Sequence, residues 1–343
     1  YELNAQSLLE RNATVHPAFH AHALSPELLA RTSGIPYAAT SQPLVVLGCG
    51  SVGSKVAMQL GRAGFGSMTF VDNEPMSPHN AARHALIERA SVLVPPRKSA
   101  LMKTAFESLS HLQSRAFDTD AVTLLVDPEQ FAATVPQDAA LIVDATASLQ
   151  VLAAETQSAA LDQSPARLAR IAMYGQGRCV AVLLEGAGRA GRVDDLTAFL
   201  FECCRFAPEL RASIAGETSE PTRIFVGDNC HSLTMPMSDA VVSRSTSLAG
   251  LQLERWLVDG LPKEATLCAG ISDAEGLGMA WTRASLGPTT ALEVADDGGW
   301  NIRVLSPVAQ AIHADALRWG ALETGGALIG RISFENRTIT IAG

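Results

Sequence analysis

Aromatic residues are scarce in this 343-residue chain, at 5%, and lysine is scarcer still: Lys55, Lys98, Lys103 and Lys263 are its only four among 26 basic residues. A core short of rings has to be built mainly from Ala, Val, Leu and Ile. Long apolar runs are missing too. Nothing approaches the ~18 residues of a membrane-crossing helix, and no charged-then-apolar leader opens the chain. The expectation is therefore a cytoplasmic protein with no membrane partner, and a first residue Tyr1 in place of Met points to a trimmed start. Six cysteines (Cys49, Cys179, Cys203, Cys204, Cys230 and Cys268) form no CxxC pair. That excludes a four-cysteine zinc site and a disulfide framework, and fits a reducing compartment. Basic charge is the minority as well: 26 Lys and Arg against 35 Asp and Glu leave −9. A general nucleic-acid-binding surface is excluded on that balance, though a local basic pocket is not.

What the chain does have is apolar bulk. At 47% hydrophobic and 18% charged residues it can bury a packed core, and at roughly 150 residues per domain its length suggests about two domains. Residues 1–43 are weakly patterned and read as an arm or linker, with short helices at 5–11 and 26–32. From Leu44 a regular alternation begins: strand 44–47, helix 54–63, strand 67–71, helix 99–110, strands 122–126 and 140–143. Strands 168–174 and 179–184 around Gly175-Gln176-Gly177 suggest a hairpin, with helices at 196–205 and 238–258 and two strands within 265–285 beyond it. The fold class is α/β, a Rossmann-like doubly wound and mostly parallel sheet. Asp296-Asp297-Gly298-Gly299 reads as a turn and boundary, which gives units at 1–43, 44–295 and 300–343.

The first strand runs straight into Gly48-Cys49-Gly50-Ser51-Val52-Gly53. Glycines between a strand and a helix allow a tight turn and a close approach of backbone to phosphate, and the helix start supplies free N–H groups. Asp72 closes the next strand, where a carboxylate can accept hydrogen bonds from ribose hydroxyls. This much fits an NAD-dependent oxidoreductase as well as an ATP user. The next stretch, Asp72-Asn73-Glu74-Pro75-Met76-Ser77-Pro78-His79-Asn80-Ala81-Ala82-Arg83, separates them. Together with Lys98 ahead of a helix and Asp144-Ala145-Thr146 at a strand end, it resembles the signature of the ubiquitin-activating, E1-like family that includes the bacterial ThiF, MoeB and HesA proteins. The resemblance covers about residues 40–260. It departs at Ser51, where a second glycine is frequent, and at Glu74, where aspartate is common.

That resemblance implies an ATP-dependent adenylyltransferase acting on the C-terminal carboxylate of a ubiquitin-like protein. The nucleotide site it implies comprises Gly48, Gly50, Ser51, Gly53, Asp72, Glu74, Asn80, Arg83, Lys98 and Asp144. The chemistry agrees, since attack on an α-phosphate builds negative charge that cations and a divalent metal stabilise. Arg83 and Lys98 are the expected cations, and Asp144 the expected Mg²⁺ ligand. Asp72 and Glu74 would hold the ribose. The resemblance also implies a homodimer, and in several relatives an arginine from the partner subunit's N-terminal arm completes the pocket, for which Arg11 and Arg31 are candidates. Many pass the acyl group to a cysteine as a thioester and then to an E2-like partner; Cys230, beside His231, occupies that place. Two other readings keep the fold: a sulfur-carrier adenylyltransferase and a catalytically inactive scaffold.

The tail has a resemblance of its own. Residues 304–319 followed by Glu323-Thr324-Gly325-Gly326-Ala327-Leu328-Ile329-Gly330 resemble the opening of a JAB/MPN (JAMM) metalloprotease domain, an α+β fold in which the glutamate is general base for a zinc-bound water. Glu323 takes that place. The expected His-x-His pair and aspartate do not follow, so Zn²⁺ enters only with a complete domain. An E1-like module joined to a JAB domain resembles proteins of bacterial ubiquitin-like conjugation operons, some linked to antiphage defence.

Overall fold

The computed structural model describes residues 23–87, 94–215, 224–225, 233–234, 236–294, 299–320, 322–323 and 325–343. A short helix α1 (Pro26–Thr32) comes first, its start capped by the Ser25 hydroxyl accepting from Leu28 N–H. Then β1 (Leu44–Leu47), α2 (Ser51–Arg62), β2 (Met68–Val71), α3 (Lys98–Ser108) and β3 (Arg115–Phe117) form the first winding. The second contains α4 (Ala121–Val126), α5 (Pro128–Thr134), β4 (Leu141–Asp144), α6 (Leu149–Gln157), α7 (Ala159–Gln163) and β5 (Arg167–Tyr174). These five strands are parallel in the order β3-β2-β1-β4-β5, so the two windings diverge from β1.

Three antiparallel strands extend the sheet beyond β5: β6 (Cys179–Leu184), β9 (Ala265–Ser272) and β10 (Met279–Leu286). Between them lie α8 (Val193–Phe206), α9 (Pro208–Ala215), the two-residue pair β7 (Ile224–Phe225) and β8 (Leu233–Thr234), and the long helix α10 (Asp239–Asp259). The inner strands β1, β2 and β4 are buried at every residue, which explains their unbroken apolar sequence. Alternate residues feed two cores. Val45, Leu47 and Ile142 face α4 to α9, while Leu44, Val46 and Val143 face α2, α3 and α10. On the second face Phe106 of α3 lies flat against Gly61 of α2, where a Cβ would sit 2.6 Å from the ring. Burying such a ring contributes about 2–3 kcal/mol.

Two expectations change. The run Ala121-Val122-Thr123-Leu124-Leu125-Val126 is helix α4, not a strand, because the Asp120 carboxylate accepts from Val122 and Thr123 N–H and starts a turn. A short apolar run carries no period long enough to distinguish the two. In the tail, a smaller sheet in the order β11-β12-β14-β13 is made by β11 (Thr290–Val294), β12 (Trp300–Val304), β14 (Thr338–Ile341) and β13 (Gly330–Ser333). Helix α11 (Ser306–Trp319) follows β12, and the strand expected from Glu323 starts only at Gly330. The glycines ahead of it disfavour extended pairing. This sheet is fixed to α8 by Arg303, whose guanidinium reaches Asp194 at 2.9 Å and also pairs with Asp195. No helix among the described residues is long and apolar enough to cross a membrane.

Candidate active site

The open edge of the parallel strands carries a cavity of about 630 Å³. One wall is the β1–α2 loop. Gly48 has φ +83° and packs on Thr146 so tightly that a Cβ would lie 3.0 Å from that backbone. Gly53 has its own requirement, since a Cβ there would come within 1.9 Å of the Gly48 carbonyl oxygen. Gly50 faces open space. It is also the N-cap of α2 and offers no side chain to the first turn, so those N–H groups remain available for an anion.

The opposite wall comes from the segment after β2. Asp72 Oδ2 accepts from Cys49 N–H at 2.7 Å and Oδ1 from Glu74 N–H at 2.8 Å. The acid thus grips the glycine loop and its own turn. Desolvation pushes its pKa up, against the opposing pull of Lys98. Lys98, the first residue of α3, is buried to 4% exposure, and its Nζ lies 2.5 Å from Glu74 Oε2. Asn80 Oδ1 accepts from Ser77 N–H at 2.9 Å and tightens the turn that presents it to the cavity.

Six expected residues line one cavity: Gly48, Gly50, Asp72, Glu74, Asn80 and Lys98. Ser51 and Gly53 belong to the first turn of α2 and do not line the cavity. Arg83 stands to one side, half-buried, with Nη1 directed at the Met237 carbonyl at 3.4 Å. Asp144 is not part of the lining. Its side chain is fully buried, Oδ2 pairs with Arg170, and Oδ1 accepts from both the N–H and the hydroxyl of Thr146, at 2.8 and 2.6 Å. Glu155, also fully buried, lies 3.4 Å from the same guanidinium. A carboxylate so engaged does not fit a magnesium ion that must also reach a phosphate in the cavity. The acids that do line the cavity are Asp72, Glu74 and Asp120, and no cluster of three metal-binding side chains occurs among the described residues. Asp120, Thr146 and Gln150 were not expected in the wall; the first was hidden by reading α4 as a strand.

Glu323 is exposed in the tail and Arg31 is exposed at the end of α1; neither lines the cavity. Cys230, His231 and Arg11 lie outside the described residues. The five other cysteines have thiols pushed up by burial, Cys179 to about 12 and Cys268 to about 11, so none of them is an activated thiolate.

Residues 37–190, the span from the turn before β1 to the loop between β6 and α8, match the family model described as the ThiF family. The fold is the ThiF-type, E1-like adenylation fold. The solved structure of E. coli MccB with ATP shares it at a TM-score of 0.50, with 14% identity, covering 76% of this chain and 67% of that one. MccB with MccA-N7isoASN gives 0.50 and 13% over the same shares. PaaA gives 0.49 and 12%, over 82% of this chain and 80% of that one. By sequence the chain is 29% identical over 137 residues to the uncharacterized protein y4oA of Sinorhizobium fredii (strain NBRC 101917 / NGR234), a match over 37% of this chain and 23% of that protein. The chain thus spans less than a quarter of that relative. The ThiF-type match includes every cavity residue named above.

Proposed function

We propose that this chain binds ATP in the cavity beside Gly48–Gly53 and adenylates a carboxylate, with the C-terminus of a ubiquitin-like protein as the acceptor. The observation that carries the reading is the convergence on one cavity of an uncapped helix start, a buried lysine and a strand-end acid. That the similar fold of E. coli MccB has been solved with ATP supports a nucleotide as the ligand.

In this reading the ribose hydroxyls donate to Asp72 and Glu74, whose second lone pairs are available beside the existing bonds. The first-turn N–H groups of α2 face the phosphates. A carboxylate oxygen of the acceptor attacks the α-phosphorus, the new C(O)O–P bond forms, the bond to the bridging oxygen breaks, and pyrophosphate leaves with that electron pair. Lys98, Asn80 and Arg83 oppose the charge that builds on the way. Magnesium, when bound, would neutralise phosphate charge; Glu74 and Asp120 are the cavity carboxylates suited to meet it, not Asp144. A following thioester on Cys230, transfer to an E2-like protein and action as a homodimer extend the proposal. So do domain limits of 44–295 and 300–343, with Glu323 serving a zinc-dependent domain only when its metal ligands are supplied.

ATP–pyrophosphate exchange in the presence of a ubiquitin-like protein tests the proposal. Exchange that requires the partner's free C-terminal carboxylate and is lost in Arg83→Ala and Lys98→Ala is expected; exchange unaltered by both substitutions refutes the site. The burial of Asp144 favours one competing reading, a scaffold that binds nucleotide without chemistry. ATP binding by calorimetry with no exchange for any acceptor would select it.

A further inference from the structure

Cys49 is the middle residue of the first tight turn in the glycine loop and is wholly buried. Its peptide is held from both sides. The N–H donates to Asp72, as above, and the carbonyl meets His84 Nε2 at 2.9 Å. His84 follows Arg83 and is itself buried to 5% exposure. Its other ring nitrogen accepts from Leu86 N–H at 3.1 Å, with the Leu86 carbonyl at 3.2 Å. A single proton on Nδ1 would oppose the Leu86 N–H and turn the Nε2 lone pair toward the Cys49 oxygen. The neutral ring with its proton on Nε2 satisfies both the Cys49 carbonyl and the Leu86 N–H.

The same histidine belongs to the turn that carries the expected phosphate contacts. Its backbone N–H donates to the Asn80 carbonyl at 2.8 Å, as does that of Arg83 at 3.0 Å. One residue on, Ala85 N–H donates to Ser54 Oγ on α2 at 3.0 Å. The ring therefore ties two pieces of chain that would touch the same triphosphate.

We propose that His84 is a positioning residue: its neutral imidazole donates to the Cys49 carbonyl and so fixes the glycine loop, and with it the N–H groups of α2, relative to Asn80 and Arg83. The role rests on the nucleotide reading of the cavity. It makes ATP binding sensitive to mild acid. A second ring proton removes the acceptor for Leu86 N–H, and the charged ring would be buried near Lys98 and Lys55, whose own carboxylate partners are Glu74 and Asp239, with Asp72 across the loop at the Cys49 N–H. Burial and the two lysines already hold the imidazole below its usual range.

The test is Mg·ATP affinity of the full chain by titration calorimetry from pH 5.5 to 8, for wild type, His84→Gln and His84→Ala. Glutamine can donate from Nε2 to the Cys49 carbonyl but does not titrate. Loss of that donor leaves a buried carbonyl unpaired, so His84→Ala should bind about tenfold more weakly. His84→Gln should stay within about threefold of wild type at pH 8 and lack the wild-type loss of affinity at the acid end. Equal affinity of His84→Ala and wild type overturns the proposal, as does an unchanged acid inflection in His84→Gln. If His84→Ala does not fold, the glutamine variant and its pH profile still decide. A wild type that binds no ATP at any pH defeats the nucleotide reading itself, and is recognised before any substitution is made.

Discussion

Asp72 and Asp144 both close parallel strands at one edge of one sheet, on either side of β1, yet one is a wall of the cavity and the other is sealed beneath it. The strand register explains the difference. Leu47 of β1 is level with Val71 on one side and with Asp144 on the other. Asp144 is therefore the last rung inside the sheet, whereas Asp72 is the first residue past it. Side chains alternate between faces, so one step along the strand turns a side chain to the opposite face. The residue level with Asp72 on the far side is Ala145, and Ala145 lines the cavity. Asp144 instead meets Arg170, its register partner on β5, and Glu155 from α6. Strand-end acids are thus of two kinds. One holds a loop and faces solvent space, while the other is half of an internal ion pair.

This contrast can be broken in graded steps. The largest effect should come from Arg170→Met, which leaves Asp144 and Glu155 buried without their cation. Unfolding in urea should show a loss of about 3–5 kcal/mol, with ATP affinity of the remaining folded chain near wild type; intact stability would show that the pair is not structural. Next is Asp72→Asn. Here stability should fall by no more than about 1.5 kcal/mol while ATP binds at least about tenfold more weakly, read by calorimetry. Normal binding would erase the functional half of the contrast. The smallest should be Glu74→Gln. Glu74 is 59% exposed, and its pair with Lys98 is worth less than about 1 kcal/mol. A thermal melt close to wild type is expected, with ATP affinity lowered by about threefold to fivefold as a ribose acceptor loses its charge.

Much of the fold could be read from residues alone. Leu44–Leu47, Gly48–Gly53 and Asp72 stand in the order strand, turn, helix, strand, acid, and glycine is demanded there by contacts as close as 1.9 Å. The hairpin of β5 and β6 and the long α10 were legible for the same reason: each is long enough to show a period. The burial of Asp144 was not legible because it depends on register to a single residue, which no composition or spacing carries. Arg170 and Glu155 were missed because their partners are brought together only by the β4–β5 ladder and α6. His84 was missed although adjacent to Arg83, since nothing local announces that its ring reaches back to Cys49. The strand expected at Val122 is a helix because Asp120 caps its first turn, a single-residue signal that outweighs the short apolar run after it.

Arg303 gives the small tail sheet a relation to the large one that differs from ordinary packing. Asp194 and Asp195 at the start of α8 are neighbouring acids buried together, and Asp195 is pushed up to about 6 by burial and by Asp194. The cation that quiets them arrives from a strand more than a hundred residues later. In effect α8 has a ligand-binding site whose ligand is tethered to the same chain. A tethered ligand is present at an effective concentration set by the span of chain, not by dilution. The site it fills therefore remains occupied at any protein concentration at which the chain is folded.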